Sequence, residues 1–278
     1  MEELSPNLDQ ATYWTESAGP TWVELNDDLD RQIAPLGAAA IAALAPQAGE
    51  RIIDIGCGCG QTVVALAEAV GAQGRVLGVD ISEPMLAVAR RKAEAAGAVR
   101  FLEADAQVCA FDPGAADAAF SRFGVMFFAD PTAAFANIRR ALKPGGRIAF
   151  LCWRGMQENP WMTVPLSAGL KHLPPRPPPE PDAPGPFAFA DGERLRGLLT
   201  AAGFSDVEVR AHDQKISNAP AASFRMALRV GPLGALLRDN PEAREVIEAD
   251  VRAALTAHLV DGKVTMDSAT WIVTARNP

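Results

Sequence analysis

The chain has 278 residues and a formal net charge of −8 at pH 7, with 49% hydrophobic and 22% charged residues. This is ordinary globular composition, which excludes disorder over the whole length and a collagen-like repeat. The net negative charge disfavours non-specific electrostatic binding of nucleic acid, so we expect no nucleic-acid partner.

The sequence predicts neither a membrane span nor an export signal. We find no apolar run of the roughly 18 residues needed to cross a bilayer. Residues 1–6 are acidic and polar, whereas a signal peptide needs a basic start and an apolar segment. Four cysteines in a chain of this length do not make a disulfide framework. We therefore expect a cytoplasmic protein with no membrane partner.

Residues 51–151 alternate short β-like runs with helical stretches. Repeated strand–helix alternation predicts right-handed crossovers and a mostly parallel sheet covered on both faces. The strand at 148–151 is continuously apolar, as expected when both faces are buried. The predicted strands are 51–55, 75–80, 99–104, 116–121 and 147–153, and the predicted helices are 61–70, 84–96 and 132–142.

The remainder of the chain departs from this alternation. Eight of the 22 prolines lie between Pro174 and Pro186, which predicts an extended excursion that is either a surface linker or a lid. The other predicted helices are 155–173, 191–202 and 220–259, and the other predicted strands are 207–210 and 270–275.

A glycine-rich loop, Asp54-Ile55-Gly56-Cys57-Gly58-Cys59-Gly60, lies between the first predicted strand and the following helix. Open α/β sheets bind ligands outside the carboxyl ends of their strands, where this loop lies. Alternate glycines permit close backbone approach, and a helix N-terminus favours a carboxylate or phosphate. A dinucleotide site with the pattern G-x-G-x-x-G needs a third glycine at the position of Gln61. A purely structural turn is the other alternative.

The pattern D-x-G-x-G-x-G resembles the first motif of class I S-adenosylmethionine (AdoMet)-dependent methyltransferases. Asp80 ends the second strand 26 residues after Asp54, and Asp105 follows the third strand. Segments 11–37 and 117–161 are similar to bacterial proteins of the ubiquinone/menaquinone-biosynthesis (methyltransferase domain 11/25-like) group. By this resemblance the fold is α/β and Rossmann-like, with a seven-stranded, mostly parallel sheet, an antiparallel last strand and a helical cap.

The predicted elements also divide the chain into one sheet domain with three additions. The cap is built from the N-terminal segment and two insertions around an AdoMet-binding core. The segments are 1–45 (N-terminal helical cap), 46–154 (core), 155–190 (Pro-rich insertion or lid), 219–265 (helical insertion), and 191–218 with 266–278 (remainder of the core sheet).

The resemblance assigns the cofactor AdoMet, with S-adenosylhomocysteine as product, to this loop and the strand ends. Asp54 is expected near the amino group of the methionine part, Asp80 at the ribose hydroxyls and Asp105 at the adenine amino group. The side chains of Ile81 and Met85 are expected on the adenine faces. The implied cofactor-binding residues are Asp54, Gly56, Cys57, Gly58, Gly60, Asp80, Ile81, Met85, Asp105, Ala106 and Ser121.

The sulfonium of AdoMet makes its methyl group electrophilic, so most of the acceleration comes from collinear positioning. A general base is needed only when the acceptor must lose a proton of high pKa. We assign no catalytic residue. The weak candidates are Tyr13, His172 and His212 (His258 being a further histidine), although each is more often a packing or solvated residue.

Aromatic residues in several segments predict an apolar acceptor pocket, with ordinary core between sheet and cap as the alternative. Arg122 is expected either to pair with an acid or to bind an anionic acceptor. Cys57 and Cys59 lack a third cysteine nearby, so we expect no metal. The predicted pocket residues are Trp14, Trp22, Arg122, Phe123, Phe127, Phe128, Trp153 and Trp161.

These observations favour a methyltransferase that acts on a small, largely apolar or aromatic acceptor by direct in-line displacement. The segment 121–124 lacks the prolines with which DNA amino-methyltransferases grip an extruded base, which argues against DNA as substrate. The alternative hypotheses are a catalytically inactive AdoMet-binding sensor or assembly protein of the same fold, and a nicotinamide-dependent oxidoreductase. We expect a monomer or a homodimer.

Overall fold

A computed structural model of the protein describes residues 6–173 and 183–278. Most of the predicted Pro-rich excursion, at 174–182, lies outside the described residues. The strands of the described part are β1 (Arg51–Ile55), β2 (Arg75–Asp80), β3 (Val99–Glu103), β4 (Ala116–Arg122), β5 (Leu142–Trp153), β6 (Ser205–Asn218), β7 (Leu259–Val260) and β8 (Lys263–Arg276).

These strands form one sheet in the order β3-β2-β1-β4-β5-β8-β6, with β7 paired to β8. Strands β1 to β5 pair in parallel, whereas β8 is antiparallel to both β5 and β6. The predicted α/β class with an antiparallel last strand is therefore confirmed. The two-residue β7 adds one strand to the seven expected.

Helices cover the sheet and extend from its carboxyl edge. Asp130 begins one of them, because its carboxylate accepts a hydrogen bond from the Ala133 N–H at 3.0 Å and Pro131 occupies the first turn. Besides a π-helical turn at Tyr13–Ser17 and short 3₁₀ turns, the described helices are α1 (Leu8–Thr12), α2 (Ala18–Glu24), α3 (Asn26–Leu44), α4 (Gln61–Val70), α5 (Glu83–Lys92), α6 (Pro131–Ala141), α7 (Pro160–Leu170), α8 (Gly192–Ala201), α9 (Pro220–Ala227), α10 (Gly231–Asp239) and α11 (Arg244–Thr256).

The predicted helix over 220–259 is three helices, because Gly231 with Pro232 and then Pro241 interrupt it. Within 6–173 and 183–278, no helix combines the length and apolarity needed to cross a bilayer.

The chain reverses its direction of travel across the sheet between β1 and β4. From β1 it proceeds outward through β2 and β3, and from β4 it proceeds the other way to β5. Ligands of such sheets bind at this switch point, outside the carboxyl ends of the strands. The core of the sheet contains fully buried aromatic rings, including Phe120 on β4 and Phe150 on β5.

Strands β6 and β8 are much longer than predicted. They pair from Glu208 with Thr274 to Asn218 with Val264, whereas β5 pairs with β8 only as far as Thr270. Residues 264–269 of β8 and their partners on β6 therefore project beyond the carboxyl edge as a two-stranded ribbon. Helices α9, α10 and α11 lie in the connection between the two ribbon strands, which brings them to the same edge as the glycine loop.

The N-terminal helices and the helical insertion contact each other although about 200 residues separate them. Leu25 and Leu29 pack with Met226 in one buried cluster. Arg229 donates to both carboxylate oxygens of Glu24 at 2.6 Å each. The N-terminal helices and the insertion thus form one layer above the carboxyl edge.

Candidate functional site

Three acids stand at the ends of neighbouring strands. In the strand register Asp54 is level with Gly78, two residues before Asp80, and Asp80 is level with Glu103, two residues before Asp105. Adjacent strands lie about 4.8 Å apart. Asp80 therefore lies on the strand next to that of Asp54 and two residues closer to the carboxyl edge, and Asp105 is related to Asp80 in the same way. All three lie on the β1 side of the switch point.

Asp54 is fully buried, with one carboxylate oxygen satisfied and one not. Its Oδ2 accepts a hydrogen bond from Thr62 Oγ1 at 2.5 Å, whereas Oδ1 has no partner among the described residues. Burial raises the pKa of Asp54 to about 7, and the Thr62 hydrogen bond and the charge of Arg122 oppose that rise. An orphaned buried carboxylate oxygen suits a cationic donor, such as the amino group of AdoMet.

Backbone hydrogen bonds hold the glycine loop against β2. The N–H groups of Gly56 and Cys57 both donate to the Val79 carbonyl, at 2.8 and 3.1 Å. The Cys57 thiol is buried, and a Cβ on Gly78 would lie 2.9 Å from its sulfur. Burial raises the pKa of Cys57, so this side chain is inert packing, and any cofactor contact of Cys57 belongs to its backbone.

The backbone of the loop also contacts the backbone of the turn that follows β4. A Cβ on Gly56 would lie 2.7 Å from Gly124 Cα, and one on Gly124 would lie 2.7 Å from the Ile55 carbonyl oxygen. Gly56 has φ of +65°, a conformation that favours glycine. The β1 and β4 tips therefore form a narrow cradle that admits no side chain at these positions.

The loop and the following turn orient Asp80. Gly58 N–H donates to its Oδ2 at 2.7 Å and Ser82 N–H to its Oδ1 at 2.9 Å. Burial raises the pKa of Asp80, against the effect of these backbone hydrogen bonds. Each carboxylate oxygen keeps a second lone pair, which is the capacity that two ribose hydroxyls require. Met85 packs directly beneath the loop, where its Cε would be 2.9 Å from a Cβ on Gly58.

Asp105 is engaged by a residue that the sequence does not single out. The side-chain amide of Asn7 donates to Asp105 Oδ1 and Oδ2 at 2.9 Å each, and Gln107 N–H donates to Oδ1 at 2.9 Å. The Ala106 carbonyl accepts from Asn137 Nδ2 at 2.9 Å, which fixes the turn after β3. Asn7 carries no motif, so only the folded chain identifies it.

The predicted pocket aromatics fall into two groups, and Phe128 belongs to neither. Phe123 stacks on Trp153 with ring centroids 4.1 Å apart, and Trp161 follows at 5.0 Å from Trp153. Trp14 makes edge contacts with Tyr13, Trp22 and Phe127. Phe128 packs on Phe135. Phe123, Trp153 and Phe128 all belong to the buried core cluster of the sheet, so their burial also fits the alternative of ordinary core.

The side chains of Arg122 and Ser121 both bond to other residues of the protein. Arg122 forms an ion pair with Asp30 of α3 at 2.7 Å, which is the structural one of the two roles expected for it. The buried hydroxyl of Ser121 accepts from Gly124 N–H at 3.1 Å and so stabilises the cradle turn.

The three weak base candidates have partners away from the glycine cradle. His172 lies 3.0 Å from Asp250 of α11, and the Tyr13 hydroxyl accepts from Arg238 of α10 at 3.2 Å. His212 lies within β6, whereas the predicted strand at 207–210 ends before it, and its Nε2 is 3.2 Å from Gln214 Oε1. These contacts do not distinguish a catalytic residue. Among residues 6–173 and 183–278, no group of three or more metal-ligating side chains occurs either.

Comparison with known proteins places this geometry in a family. The profile of a family described as "Methyltransferase domain" matches residues 52–146. Demethylmenaquinone methyltransferase of Thermus thermophilus is 46% identical over 178 residues, which are 57% of this chain and 76% of the relative. The Staphylococcus epidermidis protein of the same name is 32% identical over 179 residues, with 59% and 72% covered. Aklanonic acid methyltransferase DauC of a Streptomyces species is 36% identical over 118 residues, with 42% and 54% covered.

Solved structures share the fold at low sequence identity. A SAM-dependent methyltransferase from Aquifex aeolicus has a TM-score of 0.52 at 19% identity and covers 69% of this chain and 90% of its own. Phosphoethanolamine N-methyltransferase 2 of Haemonchus contortus, solved with S-adenosyl-L-methionine, has a TM-score of 0.55 at 21% identity, covering 88% and 52%. The matching family profile and the two demethylmenaquinone methyltransferase relatives show that the chain is an AdoMet-dependent methyltransferase of the class I family, in the group that includes the demethylmenaquinone methyltransferases.

Proposed function

We propose that the protein methylates a small, largely apolar, quinone-like acceptor by direct in-line displacement. One observation carries the acceptor class. Phe123 and Trp153 stack with 11° between their planes at the ends of β4 and β5, and Phe123 directly precedes the cradle residue Gly124. A flat apolar wall beside the cofactor cradle suits a flat apolar acceptor. The names of the two demethylmenaquinone methyltransferase relatives support the same class.

The proposal includes the cofactor contacts of individual residues. When bound, AdoMet supplies an electrophilic methyl group on its sulfonium. We propose that Asp54 Oδ1 receives the amino group and that Asp80 receives the ribose hydroxyls through its free lone pairs. Asp105 would receive the base, with Asn7 beside it. The remaining proposed contacts are Gly56, Cys57 through its backbone, Gly58, Gly60, Ile81, Met85, Ala106 and Ser121.

The catalytic contribution of the chain is positional. The Phe123–Trp153 stack orients the acceptor face and excludes water, and the β1–β4 cradle fixes the cofactor end. Alignment of this kind supplies most of the acceleration for a displacement that forms no covalent enzyme intermediate. No base is assigned to the reaction.

The proposal extends to the setting of the enzyme and to its cap. We propose a cytoplasmic protein without a nucleic-acid partner, on the support of its net charge of −8. We also propose that 1–45 and 219–265 act as the acceptor cap over the core, on the support of the Arg229–Glu24 contact. Sedimentation decides between a monomer and a homodimer.

Calorimetric titration with AdoMet and S-adenosylhomocysteine tests the cofactor site. Both should bind in the micromolar range, and Asp80→Ala should weaken both severely. Asp267→Asn, in an exposed ion pair with Lys215 on the ribbon, is the matched control and should bind normally. Failure of the native protein to bind either nucleoside would refute the proposal.

Transfer is tested by incubating the protein with isotopically labelled AdoMet and a panel of quinols, phenols and amines. Mass spectrometry should find the label in a quinol product. Labelling confined to amines would overturn the acceptor class. Binding of AdoMet without transfer to any acceptor would favour the inactive sensor.

A further inference from the structure

The N-terminal arm, residues 7–17, has an inner and an outer face. It consists of Asn7, α1 and the π-helical turn, a rare conformation that is frequent at functional sites. Side chains three or four positions apart share one face of a helix. Asn7, Gln10 and Trp14 therefore lie on one face, which is turned toward the protein. Between 7 and 14 the protected positions are Asn7, Gln10, Ala11 and Trp14, and the exposed ones are Leu8, Asp9, Thr12 and Tyr13.

Both ends of this inner face are attached to the strand ends of the proposed cofactor site. Asn7 donates to the carboxylate of Asp105, which follows β3. Seven residues later, the Trp14 carbonyl accepts from Ser82 Oγ at 2.8 Å. The backbone N–H of Ser82 in turn donates to Asp80. The arm thus extends from the acid proposed for the base to the acid proposed for the ribose.

The arm also contacts the glycine loop and the helix after β2. The Trp14 ring packs in one cluster with Cys59 of the loop and Met85 of α5. Helical rise places Gln10 about 4.5 Å along the arm from Asn7 and about 6 Å from Trp14. Gln10 therefore lies on the inner face of the arm between its two attachment points.

The side-chain carbonyl of Gln10 is buried and unpartnered. Across the described part of the chain, the buried side-chain polar atoms that lack a hydrogen-bond partner are Gln10 Oε1, Asp54 Oδ1 and Arg154 Nε. Arg154 is engaged through its other two nitrogens, which pair with two carboxylates. Asp54 Oδ1 is the oxygen proposed to receive the amino group of AdoMet. An unpaired buried acceptor is costly, so Gln10 Oε1 requires a donor from outside the protein.

We infer that Gln10 is a cofactor-binding residue whose side-chain carbonyl accepts a hydrogen bond from the nucleoside part of AdoMet. Its place between the Asp105 and Ser82 contacts restricts the donor to the exocyclic amine of the base or a ribose hydroxyl. Both present the N–H or O–H that a carbonyl accepts. The amino group of the methionine part is proposed to lie at Asp54, one strand further from the arm. This inference rests on the proposed function and adds to its site a residue outside the glycine loop and the strand ends.

Calorimetric titration with S-adenosylhomocysteine tests the contact without turnover. Gln10→Leu and Gln10→Met replace the amide by an apolar group of similar size. Each should weaken binding about tenfold, because a donor of the nucleoside then loses its acceptor. Neither should lower the melting temperature of the unliganded protein, because the amide oxygen has no protein partner to lose. Thr12→Val, on the exposed face of the same arm, is the matched control and should change neither quantity.

Three analogues of S-adenosylhomocysteine identify the donor. S-inosylhomocysteine carries a carbonyl in place of the exocyclic amine, and the 2′-deoxy and 3′-deoxy forms each lack one ribose hydroxyl. Removing the donor from the ligand should abolish the effect of the substitution, so the native protein and Gln10→Leu should bind one of these analogues equally. A loss of the same size for every analogue would place the donor outside the nucleoside and overturn the inference.

The remaining outcomes separate this inference from the proposed function. If both Gln10 variants bind S-adenosylhomocysteine within twofold of the native protein, Gln10 is not a cofactor contact and the proposed function stands. If they bind weakly but also melt well below the native protein, the role of Gln10 is structural and the inference is again wrong. If the native protein does not bind S-adenosylhomocysteine, the proposed function itself fails.

Discussion

Asn7 donates through its side-chain amide to both carboxylate oxygens of Asp105, across 98 positions of sequence. The same amide nitrogen donates to Gln107 Oε1 at 3.1 Å, and Asn7 Oδ1 accepts from Ala129 N–H at 2.7 Å. One buried asparagine thus joins the start of the described chain to the turns after β3 and β4. An exocyclic amine of a nucleobase presents the same N–H groups to a carboxylate, so a base bound at Asp105 would have to share or displace the Asn7 hydrogen bonds.

Substitution of Asn7 by aspartate should disrupt this network more than substitution by alanine does. Asn7→Ala removes the hydrogen bonds and should lower the free energy of unfolding by about 1–3 kcal/mol. Asn7→Asp places a second carboxylate against Asp105, and carboxylates this close do not both ionise readily. Thermal unfolding at pH 7 should therefore rank the aspartate variant below the alanine variant. An aspartate variant as stable as the native protein at pH 7 would contradict the network.

Ionisation of the buried Asp54 carboxyl should lower the free energy of unfolding of the unliganded protein at neutral pH. Its pKa is about 7 in the folded protein against 3.8 for the unperturbed group. Between these values the folded state binds more protons than the unfolded state, so stability falls as pH rises from 4 to 7 and then levels off. Each pKa unit corresponds to about 1.4 kcal/mol, so the effect is at most about 4 kcal/mol. Asp54→Asn should match the native protein near pH 4 and exceed its stability at pH 8, as measured by thermal unfolding. Equal pH profiles for the two proteins would show that the carboxyl is not buried.

Cofactor binding should show the opposite dependence on pH. A cationic amino group at Asp54 Oδ1 requires the ionised carboxylate, so binding below pH 7 must expel a proton. AdoMet affinity should therefore fall as pH drops from 8 to 5.5, by up to about tenfold per unit. Calorimetry in two buffers of different ionisation enthalpy should detect proton release at pH 6.5. Asp54→Asn should bind weakly and with a flat pH profile, and a native affinity that is the same at pH 6 and pH 8 would argue against this contact.

The sequence predicts the first half of the sheet well, because its signals are local. The bounds of β1, α4 and β2 agree with prediction at both ends, since apolar runs there are separated by Gly56, Gly60 and Gly71. Strand β6 is longer than the sequence predicts because it is an edge strand. Ten of its 14 residues are polar or charged, and some of them, such as Glu208 and Arg210, are exposed, so it lacks the apolar run of a central strand.

The candidate site likewise has residues that the sequence predicts and residues that it does not. Asp54 and Asp80 follow buried strands and are visible as a motif. Asn7 is an ordinary asparagine that directly precedes α1. It acquires its role from its contacts with Asp105, which exist only once distant segments are packed together. Periodicity and motif spacing carry no information about such contacts.

The backbone contact between the β1 and β4 tips predicts that alanine is harmful at Gly124 and harmless at a glycine outside the contact. A Cβ on Gly124 would lie 2.7 Å from the Ile55 carbonyl oxygen and 2.8 Å from Gly56 Cα, and backbone atoms on both sides cannot move aside cheaply. Gly124→Ala should therefore open the cradle, lower the melting temperature and weaken binding of S-adenosylhomocysteine at least tenfold. Gly197, in α8, is the matched control, because a Cβ there meets nothing within 4 Å. Gly197→Ala should stabilise the protein by about 0.5–1 kcal/mol through helix propensity and leave ligand affinity unchanged. If Gly124→Ala bound the nucleoside normally, the two strand tips would be free to separate, and the cradle would not be the element that fixes the cofactor.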